Sequence, residues 1–158
     1  LWLRNHLEDC VAELDRTVEL SPNFALGHYT LAFVHSQSGD ARAAIASADH
    51  SRQLSPFDPM LFGMMAARAL ALVRLGEFDE AATWALNAAS RPNAHDHVRA
   101  IAAHALAAAS RFDEANALLA SVRRNQPNYS IEDFLEAFRF TPDAAALFRG
   151  YWQRLQSA

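Results

Sequence analysis

A chain of 158 residues is long enough for one domain with a continuous core. It is 51% apolar and holds only five glycines, which argues against a disordered chain, and its net charge of −4 argues against a general nucleic-acid or membrane-surface binder. Alanine, the best helix former, accounts for 33 residues while β-branched residues are few, so an all-α fold is expected.

The first residue, Leu1, is not methionine and already lies inside a helical pattern, which points to a stretch of a longer protein. Leu1–Arg4 read as the end of a helix. Glu8–Leu20 follows, with Cys10, Leu14, Thr17 and Val18 inward. Ser21-Pro22 stops it, because proline disfavours helix in the residue before it. Two amphipathic helices, Ala25–Ser38 and Asp40–Leu54, then meet at Ser38-Gly39-Asp40. Leu31, Ala32 and His35 share a face of the first; Ala44, Ala48 and Leu54 share a face of the second.

In Ser55-Pro56-Phe57-Asp58-Pro59, Asp58 suits an N-cap and Pro59 the first helical position. A helix is therefore expected over Pro59–Leu75, with Phe62, Met65, Ala66, Ala69 and Leu72 on one face. Gly76 ends it and Phe78–Ser90 is its partner. After the break at Arg91-Pro92-Asn93, Asp96–Ser110 and Phe112–Asn125 form the next pair. Pro127-Asn128 breaks the chain again. Ser130 with Asp133 predicts a capped short helix, Ile131–Phe138, and Thr141-Pro142 introduces a last helix from Ala144 to about Gln156.

The turns between paired helices are alike. They read N-H-L-E-D-C from Asn5, G-D-A-R-A-A from Gly39, G-E-F-D-E-A from Gly76 and S-R-F-D-E-A from Ser110, at offsets of 34, 37 and 34 residues. Each closes on a small residue (Cys10, Ala44, Ala81, Ala115) that lets two helices approach. A period near 34 with two helices per period marks a helical repeat. Over Leu1 to about Asn128 the chain resembles the tetratricopeptide family. The resemblance implies a superhelical α-α solenoid of about three and a half helix pairs: a partial pair in 1–22, then 25–56, 59–92 and 94–127. Residues 129–158 would supply C-terminal capping helices. The chain departs from the pattern at the aromatic position near the start of each first helix, occupied here by His28, Phe62 and Arg99.

S-P-F-D-P at Ser55, R-P-N-A-H at Arg91, D-F-L-E-A-F-R-F at Asp133 and L-F-R-G at Leu147 look like C-terminal tetratricopeptide regions of bacterial regulators. In those proteins the repeats follow a class III adenylate or guanylate cyclase domain or a winged-helix DNA-binding domain. The likeness implies a regulatory, non-catalytic region.

The residues themselves offer little chemistry. His95, Asp96, His97 and His104 are metal-ligand types, but His97 and His104 would stand about 10 Å apart on one helix. A helix start with Asp96 near the positive end of the dipole is the preferred reading. The spacing of His28 and His35 is the same. Cys10, the single cysteine, permits no intrachain disulfide, fits a cytoplasmic setting and reads as a small buried hydrophobe. Arg123, Arg124, Arg139, Arg149 and Arg154 are interrupted by acids and read as a solvated face. No nucleophilic triad, phosphate loop or paired-cysteine site is present, so neither an enzyme, a cofactor nor a bound metal is expected. No segment resembles a signal peptide or a membrane span.

The surface expected to act is the concave one. The resemblance places Leu26, Tyr29, Phe33 and Gln37 there from one pair, Gly63, Ala67, Leu70 and Arg74 from the next, and His97, Ala100, Ile101 and His104 from the last. Such an apolar groove suits an amphipathic helix or peptide, including one from a second copy of the chain. A metabolite in the same groove is the alternative. The family's variant that clamps chaperone carboxylates uses lysine, and this chain has none. The last helix, with Leu147, Phe148, Tyr151, Trp152 and Leu155, is more apolar than a solvated cap requires. It is expected to cap the final pair or to fill the groove itself.

Overall fold

Prolines and glycines punctuate the chain, and the helices fall between them. The computed structural model describes residues 6–158; the helix end expected at Leu1–Arg4 lies outside them. The described residues form nine helices and no strand. They are α1 (Leu7–Leu20), α2 (Ala25–Ser38), α3 (Ala41–Leu54), α4 (Leu61–Leu75), α5 (Phe78–Ala89), α6 (Asp96–Ala108), α7 (Phe112–Asn125), α8 (Ile131–Ala137) and α9 (Pro142–Ser157). None of these helices is long and apolar enough to cross a membrane.

Side-chain caps start three of the helices. Asp40 caps α3, its carboxylate accepting from the Arg42 and Ala43 amides at 2.7 and 3.0 Å. Ser130 and Asp133 form a reciprocal capping box on α8, and Thr141 caps α9 ahead of Pro142. One boundary differs from expectation. Asp58 does not cap a helix at Pro59: its carboxylate accepts from the Ser55 hydroxyl and the Met60 amide. These bonds close a turn, and α4 starts only at Leu61.

From α1 to α7 consecutive helices pack antiparallel to one another. In addition α2 packs on α4 and α4 on α6, so these three lie side by side as one layer. Helices α3, α5 and α7 back that layer, α3 resting on α2 and α4, α5 on α4 and α6, and α7 on α6. The backing helices touch the layer through short side chains at one spacing: Ala44, Ala48 and Ser51; Ala81, Ala85 and Ala88; Ala115, Leu119 and Val122, all buried. The same spacing in α1 gives Cys10, Leu14 and Thr17, which are only half-buried. Small residues here bring the axes close, and a larger side chain would force them apart. On the outer side Arg68 bridges Asp49 and Glu80 beneath the Trp84 ring, tying α3, α4 and α5 together. Asp96 likewise ties α6 to α7 by accepting from Asn125 and Gln126.

The same left-handed backbone ends α4 and α6. Gly76 has φ 81° and Ser110 has φ 61°. The Glu77 amide reaches back to the Leu72 carbonyl, and the Arg111 amide to that of Leu106. Glycine adopts this geometry without strain, whereas serine does not. Opposite responses at the two sites are expected: Gly76→Ala lowers stability by about 1 kcal/mol and Ser110→Gly raises it by about 0.5–1 kcal/mol. Urea unfolding midpoints of the two variants check the pair of signs.

Candidate functional site

The side of the α2–α4–α6 layer turned away from α3, α5 and α7 is where the functional residues were expected, and the structure brings most of them together there. Phe33, Leu70 and His104 occupy equivalent places on the three helices, as do Leu26, Gly63 and His97. Leu70 and Ile101 are buried and form the floor. Tyr29 and Phe33 stand half-buried at the rim, their rings 6.3 Å apart. Gly63 lets the hydroxyl end of the Tyr29 ring approach α4, for a Cβ there would sit 2.8 Å from the ring carbon bearing the hydroxyl. Leu26 is apart from this group, 50% exposed at the first turn of α2.

The chain's own C-terminal region lies over this surface. Helix α9 packs on α6 and α7, and α8 packs on α6 and α9. Phe134 and Phe148 are fully buried, and both rings meet His104, at 4.2 and 5.4 Å between centroids. The connection from α8 to α9, residues 138–141, crosses toward α2 as an extended strap. Phe138 leaves α8 with φ −127° and ψ 164°. Its ring sits 6.4 Å from that of Phe33 and 6.1 Å from that of His97. A cavity of about 40 Å³ is left between Tyr29, Phe33, Leu70, Ile101 and Phe138. That is room for a water or two, well short of the roughly 300–1,000 Å³ of a small-molecule site.

Gln37 and Arg74, two of the polar residues expected on this surface, serve the end of α2. A helix leaves its last carbonyls without partners inside the helix. Arg74, from the last turn of α4, donates to the carbonyls of His35, Ser36 and Gly39 at 2.8, 3.1 and 3.0 Å. Its charge also complements the negative end of the α2 dipole. Burial lowers the Arg74 pKa, with Asp40 opposing the shift. Gln37 is 0% exposed. Its Nε2 donates to the Phe33 carbonyl at 2.9 Å, its Oε1 accepts from the Arg139 amide at 2.9 Å, and its carbonyl accepts from the Thr141 amide at 3.3 Å. The strap is therefore held to α2 by its main chain.

The histidines separate by environment. His97 is half-buried, with Nδ1 3.3 Å from the Tyr129 hydroxyl. Burial, with Asp133 and Asp96 nearby, raises the Tyr129 pKa. His104 is 1% exposed, and neither ring nitrogen has a hydrogen-bond partner. Desolvation pushes its pKa down to about 3. Among the described residues no group of three His, Cys, Asp or Glu side chains is placed to hold a metal ion.

Sequence reasoning missed the strap residues Phe138, Arg139 and Thr141. Their signal was the aromatic density of D-F-L-E-A-F-R-F, which carried a likeness and not a contact. No protein-family model matches the chain, and no curated protein matches it.

The buried imidazole has a measurable consequence. The folded His104 pKa lies below the unfolded value of 6.5, so the unfolded chain binds the extra proton and stability falls as pH drops below 6.5 toward about 3. The slope from this group is about 1.4 kcal/mol per pH unit. His104→Leu removes it. The stability difference between pH 7 and pH 5, from denaturant titration, is expected to shrink by about 2 kcal/mol relative to the native chain. The variant also gains stability at pH 7 by ridding the core of an unpaired polar ring, by about 1 kcal/mol.

Proposed function

We propose that the chain is a protein–protein interaction module that works through the face of α2, α4 and α6. The observation that carries this reading is the shape of the inner surface. Half-buried aromatic rings, Tyr29 and Phe33, stand over an apolar floor of Leu70 and Ile101, and the Phe138 ring of the chain's own C-terminal region is seated against them. A surface of this kind accommodates side chains of a protein segment.

The helices are read as a tetratricopeptide-like superhelix with about three and a half helix pairs before the C-terminal pair. Supporting this are the turn offsets of 34, 37 and 34 residues, the recurring buried positions of α3, α5 and α7, and the matching left-handed turns at Gly76 and Ser110. The likeness of its turns and C-terminal motifs to bacterial regulators suggests the role. The module would be the cytoplasmic regulatory arm of a larger signalling or transcription protein, beside a cyclase or a winged-helix domain. Its partner is a protein or peptide, a second copy of the chain included. It is not itself an enzyme and contacts neither nucleic acid nor membrane.

Selection of a random peptide library on the immobilised chain tests this. Peptides are expected to be enriched that bind the native chain, and Tyr29→Ala with Phe33→Ala, still helical by circular dichroism, should weaken them about tenfold or more. Binding indifferent to this double substitution would move the interaction to another face.

A further inference from the structure

The strap is bound in a way that a structural cap does not require. Its two hydrogen bonds to α2 come from the main-chain amides of Arg139 and Thr141, alternate residues of an extended segment. Neither depends on a side chain of the strap. The Arg139 side chain itself is exposed. Aromatic rings flank it on both sides. Phe138 lies between Phe33 and His97, and Phe140 lies on Phe134 and Phe148 at 5.6 and 4.8 Å. The receptor side is built in advance. Gln37 is fully buried, and the bond from its Nε2 to the Phe33 carbonyl fixes which way its Oε1 faces. The strap supplies the donors that this oxygen and the Gln37 carbonyl accept from.

We propose that the C-terminal end of α2, the inner rims of α4 and α6, and the rings of Phe134 on α8 and Phe148 on α9 form a peptide-backbone clamp for an extended aromatic–any–aromatic segment, and that Phe138–Thr141 is the copy of this ligand carried in cis. This rests on reading the inner face as a protein-binding surface and specifies what that surface recognises. A partner bearing the same pattern replaces the strap: one aromatic ring enters between Phe33 and His97, and the next main-chain amide donates to Gln37 Oε1. The intervening residue is unrestricted because its side chain leaves the groove. Such a partner competes with a tethered segment whose effective concentration is in the millimolar range, so the intact strap masks the site.

The test is a fluorescence-anisotropy titration with a labelled peptide of this chain's residues 136–143. The receptor is the whole chain carrying Phe138→Ala, which empties the aromatic position and is verified as folded by circular dichroism. The peptide is expected to bind this variant about tenfold or more tighter than the native chain. Replacing both phenylalanines of the peptide by alanine, or methylating the backbone nitrogen between them, should each weaken binding about tenfold or more. Should Phe138→Ala not fold, Arg139→Pro serves in the same titration. It deletes the amide that Gln37 accepts from, and the extended backbone of Phe138 already suits a following proline. A folded receptor that ignores the peptide, or binds all three peptides alike, overturns the clamp. Library selection could still yield inner-face peptides without the aromatic pattern, in which case the interaction module stands and the clamp alone fails.

Discussion

Two helices in this protein have no side to give to water. Twelve of the fifteen residues of α4 and ten of the thirteen of α6 are buried. A helix that is apolar all round must be covered from every direction. On one side the cover is α3, α5 and α7, whose alanine-rich faces allow close approach. On the other it is the C-terminal region, where Phe134, Phe138, Phe148, Tyr151 and Leu155 are all buried. The second cover is not uniform. It is deep over α6, where Phe134 and Phe148 enclose His104, and thin over α2, where only the extended strap crosses. The half-buried rings of Tyr29 and Phe33 mark that thin edge, and the proposed recognition surface lies there.

Polar groups on an apolar face need a reason, and the end of α2 supplies one. Its terminal carbonyls face the interior and must be paired. Arg74 pairs those of His35 and Ser36, while the Thr141 amide pairs that of Gln37. Satisfying the helix end and fastening the strap are thus one arrangement. His104 is the contrasting case. Its ring is buried without partners and held neutral by its surroundings. It fills space between aromatic rings at a cost in stability, and nothing in the structure gives it a chemical task.

The helical framework was legible because its signals are local. Pro22, Gly76, the Asp40 cap and the Ser130–Asp133 box each act within a few residues, and α2 and α7 begin and end where sequence pattern places them. The start of α4 was misplaced because Asp58-Pro59 has the residues of a cap, while the bonds Asp58 makes to Ser55 and Met60 close a turn instead. The site was half legible. Repeat register put Tyr29, Phe33, Leu70 and Ile101 on one surface. It also put Gln37, Arg74 and His104 there, but nothing local distinguishes a groove residue that awaits a partner from one already paired. Gln37 bonds to Arg139, 102 residues on, and no periodic pattern encodes a contact at that separation.

The account turns on whether the strap lies across the inner face when the chain is in solution. Nuclear Overhauser contacts between the Phe138 ring and the rings of Phe33 and His97 measure this directly. The structure predicts cross-peaks to both, since the ring centroids lie 6.4 and 6.1 Å from that of Phe138. Contacts from Phe138 to α8 and α9 alone, with none to α2 or α6, would mean that the inner face is open and that the clamp at Gln37 does not form.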